Sequence, residues 1–257
     1  MEWIYGFWVC FIAGIGAGLG TGFAGMSAAA AISPILITFL GLEPYEAVGI
    51  ALASDVLASG VSAYIYGKNK NLDIRNGIVM MITVLIFTTI GSMVSSLVPN
   101  TTMGNFSVCM TMVLGIKFIV KPVMTTKENM EVISQKKRMF RSVLWGMLIG
   151  FICGFVGAGG GMMMLLVLTS VLGYELKTAV GTSVFVMSFT AFTGAVSHFA
   201  IGGFPDWRYL LVCVASTLLW ARIAAKIANK AAPKTLNRDT GVVLDLIGVA
   251  ILGVKLV

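Results

Sequence analysis

Three stretches of this 257-residue chain contain no aspartate, glutamate, lysine, arginine or histidine: residues 3–42, 76–116 and 142–174. Each exceeds the roughly 20 apolar residues that an α-helix needs to cross the ~30 Å hydrocarbon core of a bilayer. Hydrophobic residues make up 58% of the chain and charged ones 11%, against roughly 25% charged in soluble domains. Inside hydrocarbon every backbone N–H and C=O must find a partner within the protein, which leaves helices or a closed barrel. Barrel strands alternate apolar and polar residues, and these runs do not. The sequence therefore predicts an all-α polytopic membrane protein, with the lipid bilayer as its solvent.

The net charge of +7 does not point to nucleic acid, because the basic residues gather in a few loops, where orientation signals belong. The four cysteines, Cys10, Cys109, Cys153 and Cys213, all fall in apolar segments without metal-ligand spacing. They read as small buried hydrophobes, and neither a metal nor a cofactor is expected. The N-terminus has no basic leader and no cleavage site, so residues 3–22 are read as mature structure.

Charge also sets the number of crossings. The basic breaks are Gly67–Arg75, Lys121–Arg141 and Arg222–Asp239, and the positive-inside tendency wants all three in the cytoplasm. If residues 3–42 and 142–174 each crossed once, the third break would lie outside. If each divides at its glycines, each half has five elements. These are 3–23, 26–41, 45–66, 76–98 and 103–121, then 142–157, 160–173, 177–201, 207–222 and 240–256. All three basic breaks then fall inside, and because five is odd the halves point in opposite directions. The second elements are short, since residues 160–173 reach only about 21 Å at 1.5 Å per residue. The glycine-rich segments are thus expected within the membrane, as broken or re-entrant hairpins. The expected organisation is an N-terminal transmembrane repeat over 1–121, a basic cytoplasmic linker over 122–141, and a C-terminal transmembrane repeat over 142–257.

The halves also match residue by residue. Gly14, Gly18, Gly22 and Gly25 recur 132 positions later as Gly146, Gly150, Gly154 and Gly157. At the same offset Gly41 pairs with Gly173, Glu43 with Glu175, and Ala47-Val48-Gly49 with Ala179-Val180-Gly181. One residue out of register, Asp73-Ile74-Arg75 matches Asp206-Trp207-Arg208. Inverted repeats interrupted by glycine mark transporters that bind their cargo at the repeat interface.

Gly157-Ala158-Gly159-Gly160-Gly161, Leu172-Gly173, Ala179-Val180-Gly181-Thr182-Ser183, His198 and Asp206-Trp207 together resemble the TauE/SafE sulfite-exporter family of anion transporters. Gly41-Leu42, Ala47-Val48-Gly49 and Pro34 echo the pattern in the first half. That half departs at Gly25-Met26-Ser27-Ala28-Ala29 and at Ile50-Ala51, and the second half carries Leu166 where the first has Pro34. The resemblance implies a multi-pass protein of the cell membrane that moves sulfur-containing anions: sulfite, thiosulfate or small organosulfonates.

A helix that starts inside the membrane leaves up to four N–H groups without intrahelical acceptors, and its dipole favours an anion there. Starts near Met26–Ser27 and near Gly159–Gly161 provide two such ends, which the inverted repeat aims at the midplane. Gly25, Met26, Ser27, Gly157, Gly159, Gly160 and Gly161 are therefore candidate substrate contacts, with the hydroxyls of Ser54, Thr182 and Ser183. Gly14, Gly18, Gly146 and Gly150 read instead as helix packing. Asp55, ten residues into its span, is costly at that depth and suits proton coupling. His198, the only histidine, falls near a span end and is a candidate for a proton relay or an anion gate.

The expected function is a secondary anion transporter, coupled to protons or another ion. An anion channel on the same repeats is the alternative. Glycine, four residues and Gly-Lys-Ser/Thr do not occur in that order, which argues against ATP hydrolysis. An intramembrane serine protease would need a nucleophile–base pair, and only His198 is available as base. The sequence leaves a homo-oligomer open.

Overall fold

A computed structural model describes residues 2–95, 116–117, 119–127, 130, 134–156 and 160–256. Among these residues there are nine α-helices and no strand. They are α1 (Glu2–Ala24), α2 (Ala29–Leu40), α3 (Pro44–Lys68), α4 (Ile74–Ser95), α5 (Gln135–Val156), α6 (Gly160–Ser170), α7 (Leu176–Gly202), α8 (Trp207–Lys230) and α9 (Pro233–Leu256). Among the described residues, five stretches are long and apolar enough to cross a membrane: Trp3–Ala24, Pro44–Lys68, Ile74–Gly91, Leu176–Ala200 and Trp207–Lys230. The expected element 103–121 lies mostly outside the described residues.

The three helix boundaries that differ most from the sequence reading all lie beside basic residues. α5 starts at Gln135 rather than 142, α8 runs to Lys230 rather than 222, and α9 starts at Pro233 rather than 240. Charge marks where hydrocarbon ends, not where the helix ends. Lysine and arginine are good helix formers, and their long stems let the charged heads reach water from a helix still leaving the apolar layer.

α2 and α6 are the half-length elements, with 12 and 11 residues. At 1.5 Å per residue they reach about 18 and 16 Å, well short of a ~30 Å core. Gly41 directly follows α2, and Gly173 lies three residues after α6. Gly41 and Gly173, a repeat pair, have φ of 62° and 67°, the left-handed conformation that lets the chain leave a helix sharply.

Helix packing joins the two halves. α1 runs parallel to α8, with Gly6 against Tyr209, Gly14 against Ser216, Gly18 against Thr217 and Ala221, and Gly22 against Ala224. α5 runs parallel to α4, with Gly146 against Met80 and Thr83 and Gly150 against Val84. At the repeat offset α1 corresponds to α5 and α8 to α4, so one glycine-stripe contact is made twice, each time between halves. α3 and α7 are themselves repeat mates and pack antiparallel. Gly49 lies beside Phe199 and His198, Leu52 beside Gly194, and Tyr66 beside Gly181.

The stripe tolerates no side chain where backbones touch. A Cβ on Gly18 would lie 2.6 Å from the Thr217 carbonyl oxygen and 2.8 Å from the Ala221 nitrogen, whereas one on Gly16 meets nothing within 4 Å. Gly18→Leu is expected to force α1 off α8, at a cost above the ~1–3 kcal/mol typical of overpacking. Gly16→Ala is expected to be neutral. The yield of monodisperse protein after detergent extraction separates the two.

Charge divides between the faces. The start of α3 and the start of α8 share one face, where the Asp206 N–H donates to Glu46 Oε1 at 3.1 Å. Glu43, Glu46 and Asp206 outnumber Arg208 there, so this face is net acidic. The opposite face holds Lys68, Lys70, Arg75, Arg138 and Arg141, tied by Arg75 Nη1 to Gln135 Oε1 at 3.0 Å and Lys127 Nζ to Lys70 O at 2.9 Å.

Candidate functional site

Gly25 breaks the first hairpin. Its φ of 62° lies where glycine pays no steric penalty. Its N–H still reaches the Thr21 carbonyl at 3.0 Å, and the Met26 N–H turns back to Gly20 O at 3.2 Å. The chain then re-enters as α2. The second hairpin re-enters as α6 from Gly160. Gly157 and Gly159 lie outside the described residues.

The two re-entry points touch. A Cβ on Gly161 would overlap the Gly25 carbonyl oxygen and stand 3.1 Å from the Ser27 nitrogen. Ser183 Oγ, from α7, lies 3.2 Å from both Gly25 O and Gly161 O, so one hydroxyl bridges the tips of both hairpins. Gly25, Met26, Ser27, Gly161 and Ser183 thus meet, although segments some 130 residues apart carry them.

The tips differ in what faces them. Ser27 Oγ donates to Asp55 Oδ2 at 2.6 Å and accepts from the Ala29 N–H at 3.3 Å. Ser59 Oγ donates to Asp55 Oδ1 at 2.7 Å. Asp55 is fully buried. The start of α2 therefore has a carboxylate supplied by the protein, placed where the helix dipole favours negative charge. The residue 132 positions after Asp55 is Met187, whose sulfur would stand 3.8 Å from a Cβ on Gly160. The same position beside α6 is thus a thioether, not an acid.

A cavity of about 230 Å³ opens beside the α6 start. Gly160, Ser27, Thr88, Thr190, Cys153 and His198 give it polar or polarisable edges, and Leu52, Val84, Ile149, Met164 and Met187 line the rest. No lysine or arginine is among these lining residues. A second cavity of about 430 Å³ lies at the acidic face, lined by Glu43, Tyr45, Glu46, Gly49, His198, Phe199 and Phe204.

Two predicted hydroxyls lie elsewhere. Ser54 Oγ donates to Ile50 O of its own helix at 2.8 Å. Thr182 Oγ1 accepts from the Asp73 N–H at 3.2 Å, on the basic face. Sequence reasoning did not select Thr88, Cys153, Met164 or Met187. Cys153 sits in an apolar segment, and nothing in its local sequence marks it as cavity-lining.

The basic face is closed by a polar cluster. Tyr174 Oη donates to Asp73 Oδ2 at 2.8 Å, Asn76 Nδ2 donates to the same oxygen at 2.7 Å, and Arg138 Nη1 stands 3.9 Å away. The Arg138 guanidinium also covers the Tyr174 ring at 5.1 Å. Burial, reinforced by the Asp73 charge, pushes the Tyr174 phenol well above its ordinary range, so it stays a donor. Tyr174→Phe is expected to lower thermal stability in detergent by about 1 kcal/mol, the net worth of one such bond. An unchanged melting temperature would show that the bond contributes nothing.

Residues 10–251 match the sulfite exporter TauE/SafE family. Among curated proteins, the chain is 26% identical to "Probable membrane transporter protein YunE" of Bacillus subtilis over 244 residues, covering 90% of this chain and 89% of that one. It is 24% identical over 242 residues to a "Probable membrane transporter protein" of Haemophilus influenzae, covering 92% and 90%. It is 22% identical over 213 residues to "Probable membrane transporter protein YdhB" of Bacillus subtilis, covering 82% and 86%. No solved structure matches.

Proposed function

The chain belongs to the sulfite exporter TauE/SafE family of membrane transporters, and from that premise we propose that it is a secondary transporter of small sulfur-containing anions such as sulfite, thiosulfate or short organosulfonates. The observation that carries this reading is the meeting of two half-helix starts through Ser183, with a cavity beside the α6 start. A helix start leaves N–H groups without intrahelical acceptors, and the dipole at such a start favours negative charge. Thr88, Thr190 and Ser27 add hydroxyls at the cavity edge. An anion bound there needs no buried lysine or arginine.

The antiparallel α3–α7 pair and the twice-made glycine-stripe contact support an inverted relation between the halves. On that reading the cargo site lies at the midplane between repeats, in the cell membrane, with the basic face and the 122–141 linker cytoplasmic. Asp55, buried against the α2 start, is the coupling acid. A proton on it removes the internal negative charge from the α2 start when a substrate anion arrives.

Purified protein in liposomes tests this, with sulfite, thiosulfate, sulfate and small sulfonates offered side by side under an imposed proton gradient. Accumulation of one anion above its equilibrium level is the expected result. Equilibration without accumulation would identify a channel, and no flux of any sulfur anion would overturn the assignment.

A further inference from the structure

Among the described residues, His198 alone lines both the central cavity and the cavity at the acidic face. Its ring stacks on Tyr45, with centroids 4.3 Å apart and planes 22° from parallel. Nδ1 lies 3.0 Å from the Gly194 carbonyl oxygen, one turn back on α7. A carbonyl only accepts, so Nδ1 carries the hydrogen and Nε2 is left for other partners. The imidazole is therefore held at one edge and by one face, in the wall between two spaces.

The repeat mate of His198 is Tyr66, 132 positions earlier. Tyr66 is fully buried, and its hydroxyl donates to Gly22 O at 2.8 Å. The same position in the two halves is thus a sealed contact near the basic face and a half-buried ring between cavities near the acidic one. The polar cluster of Asp73, Asn76, Arg138 and Tyr174 lies on the sealed side.

We propose that His198, braced by Tyr45, is the gate through which cargo passes between the acidic face and the central cavity. This rests on the reading of the central cavity as the cargo site. Passage requires the ring to swing off Tyr45, a side-chain rotation that leaves the helices in place.

Cys153 supplies the reporter, because it lines the central cavity. With Cys10, Cys109 and Cys213 changed to alanine, a small anionic methanethiosulfonate that does not cross lipid is added to the acidic face or the basic face of sealed vesicles. His198→Ala and Tyr45→Ala are each expected to speed Cys153 modification from the acidic face by about tenfold, and His198→Trp to slow it by a similar factor, as for residues that gate a site. Rates from the basic face should not change. Modification from the acidic face at one rate in all variants overturns the gate. So does modification from the basic face alone, or none in any variant. If His198→Trp fails to insert, the two alanine variants decide. The label reads access rather than cargo, so the gate can fail while sulfur-anion flux stands, and can hold if the cargo proves to be another anion.

Discussion

Replacing Gly160 by leucine is expected to abolish anion flux while the protein still inserts and folds. The side chain would enter the cavity of about 230 Å³ at the α6 start. The three atoms nearest its Cβ would be Cys153 Sγ at 2.8 Å, Cys153 Cβ at 3.6 Å and the Met187 sulfur at 3.8 Å. These are side-chain atoms, so the neighbours can move aside without separating helices. The leucine occupies the space that an anion needs and pushes it from the α6 amides, and even ~1 Å of misplacement can cost about 100-fold in rate. Gly161 behaves differently. A side chain there collides with backbone of the other hairpin, so Gly161→Leu is expected to lower folded yield as well. Liposome flux, normalised to monodisperse protein, separates the two. Normal flux in Gly160→Leu would show that the glycine only packs.

Asp55→Asn is expected to remove the pH dependence of transport and to slow proton-driven accumulation by about tenfold or more, as befits an intramembrane acid. Asparagine has the same shape and stays neutral. Its carbonyl can accept from Ser27 or Ser59, while its amide must face the other hydroxyl, which can turn to accept. Asp55→Ala is the harsher change. It takes away the acceptor of the Ser27 and Ser59 hydroxyl donors in a buried site, at about 1–3 kcal/mol for each unsatisfied group, so fold and function would fall together. The asparagine variant is therefore the informative one. A pH profile equal to that of the unmodified chain would make Asp55 a cap for α2 and nothing more.

Local chemistry explains what was legible beforehand. Charge-free runs and glycine spacing are properties of the chain itself, and the described helices follow them. The roles of Gly14, Gly18, Gly146 and Gly150 were readable because a small residue every fourth position makes one helix face that admits another backbone. The hydroxyls were harder. Ser54, Thr182 and Ser183 look alike in sequence. Only Ser183 reaches the hairpin tips, while Ser54 bonds its own helix and Thr182 bonds a loop. A serine in an apolar helix can bond its own helix, a loop or another helix, and its sequence does not say which.

The amino-acid sequence by itself determined the solvent, the helical class, the duplication and the two interrupted segments. Those follow from transfer free energies and backbone hydrogen bonding, which act residue by residue along the chain. The tertiary structure decided which helices meet: each glycine stripe packs on the other half, Asp55 crosses from α3 to cap α2, and His198 divides two cavities. Such contacts join residues far apart in sequence, and their geometry depends on shapes that only the packed helices create.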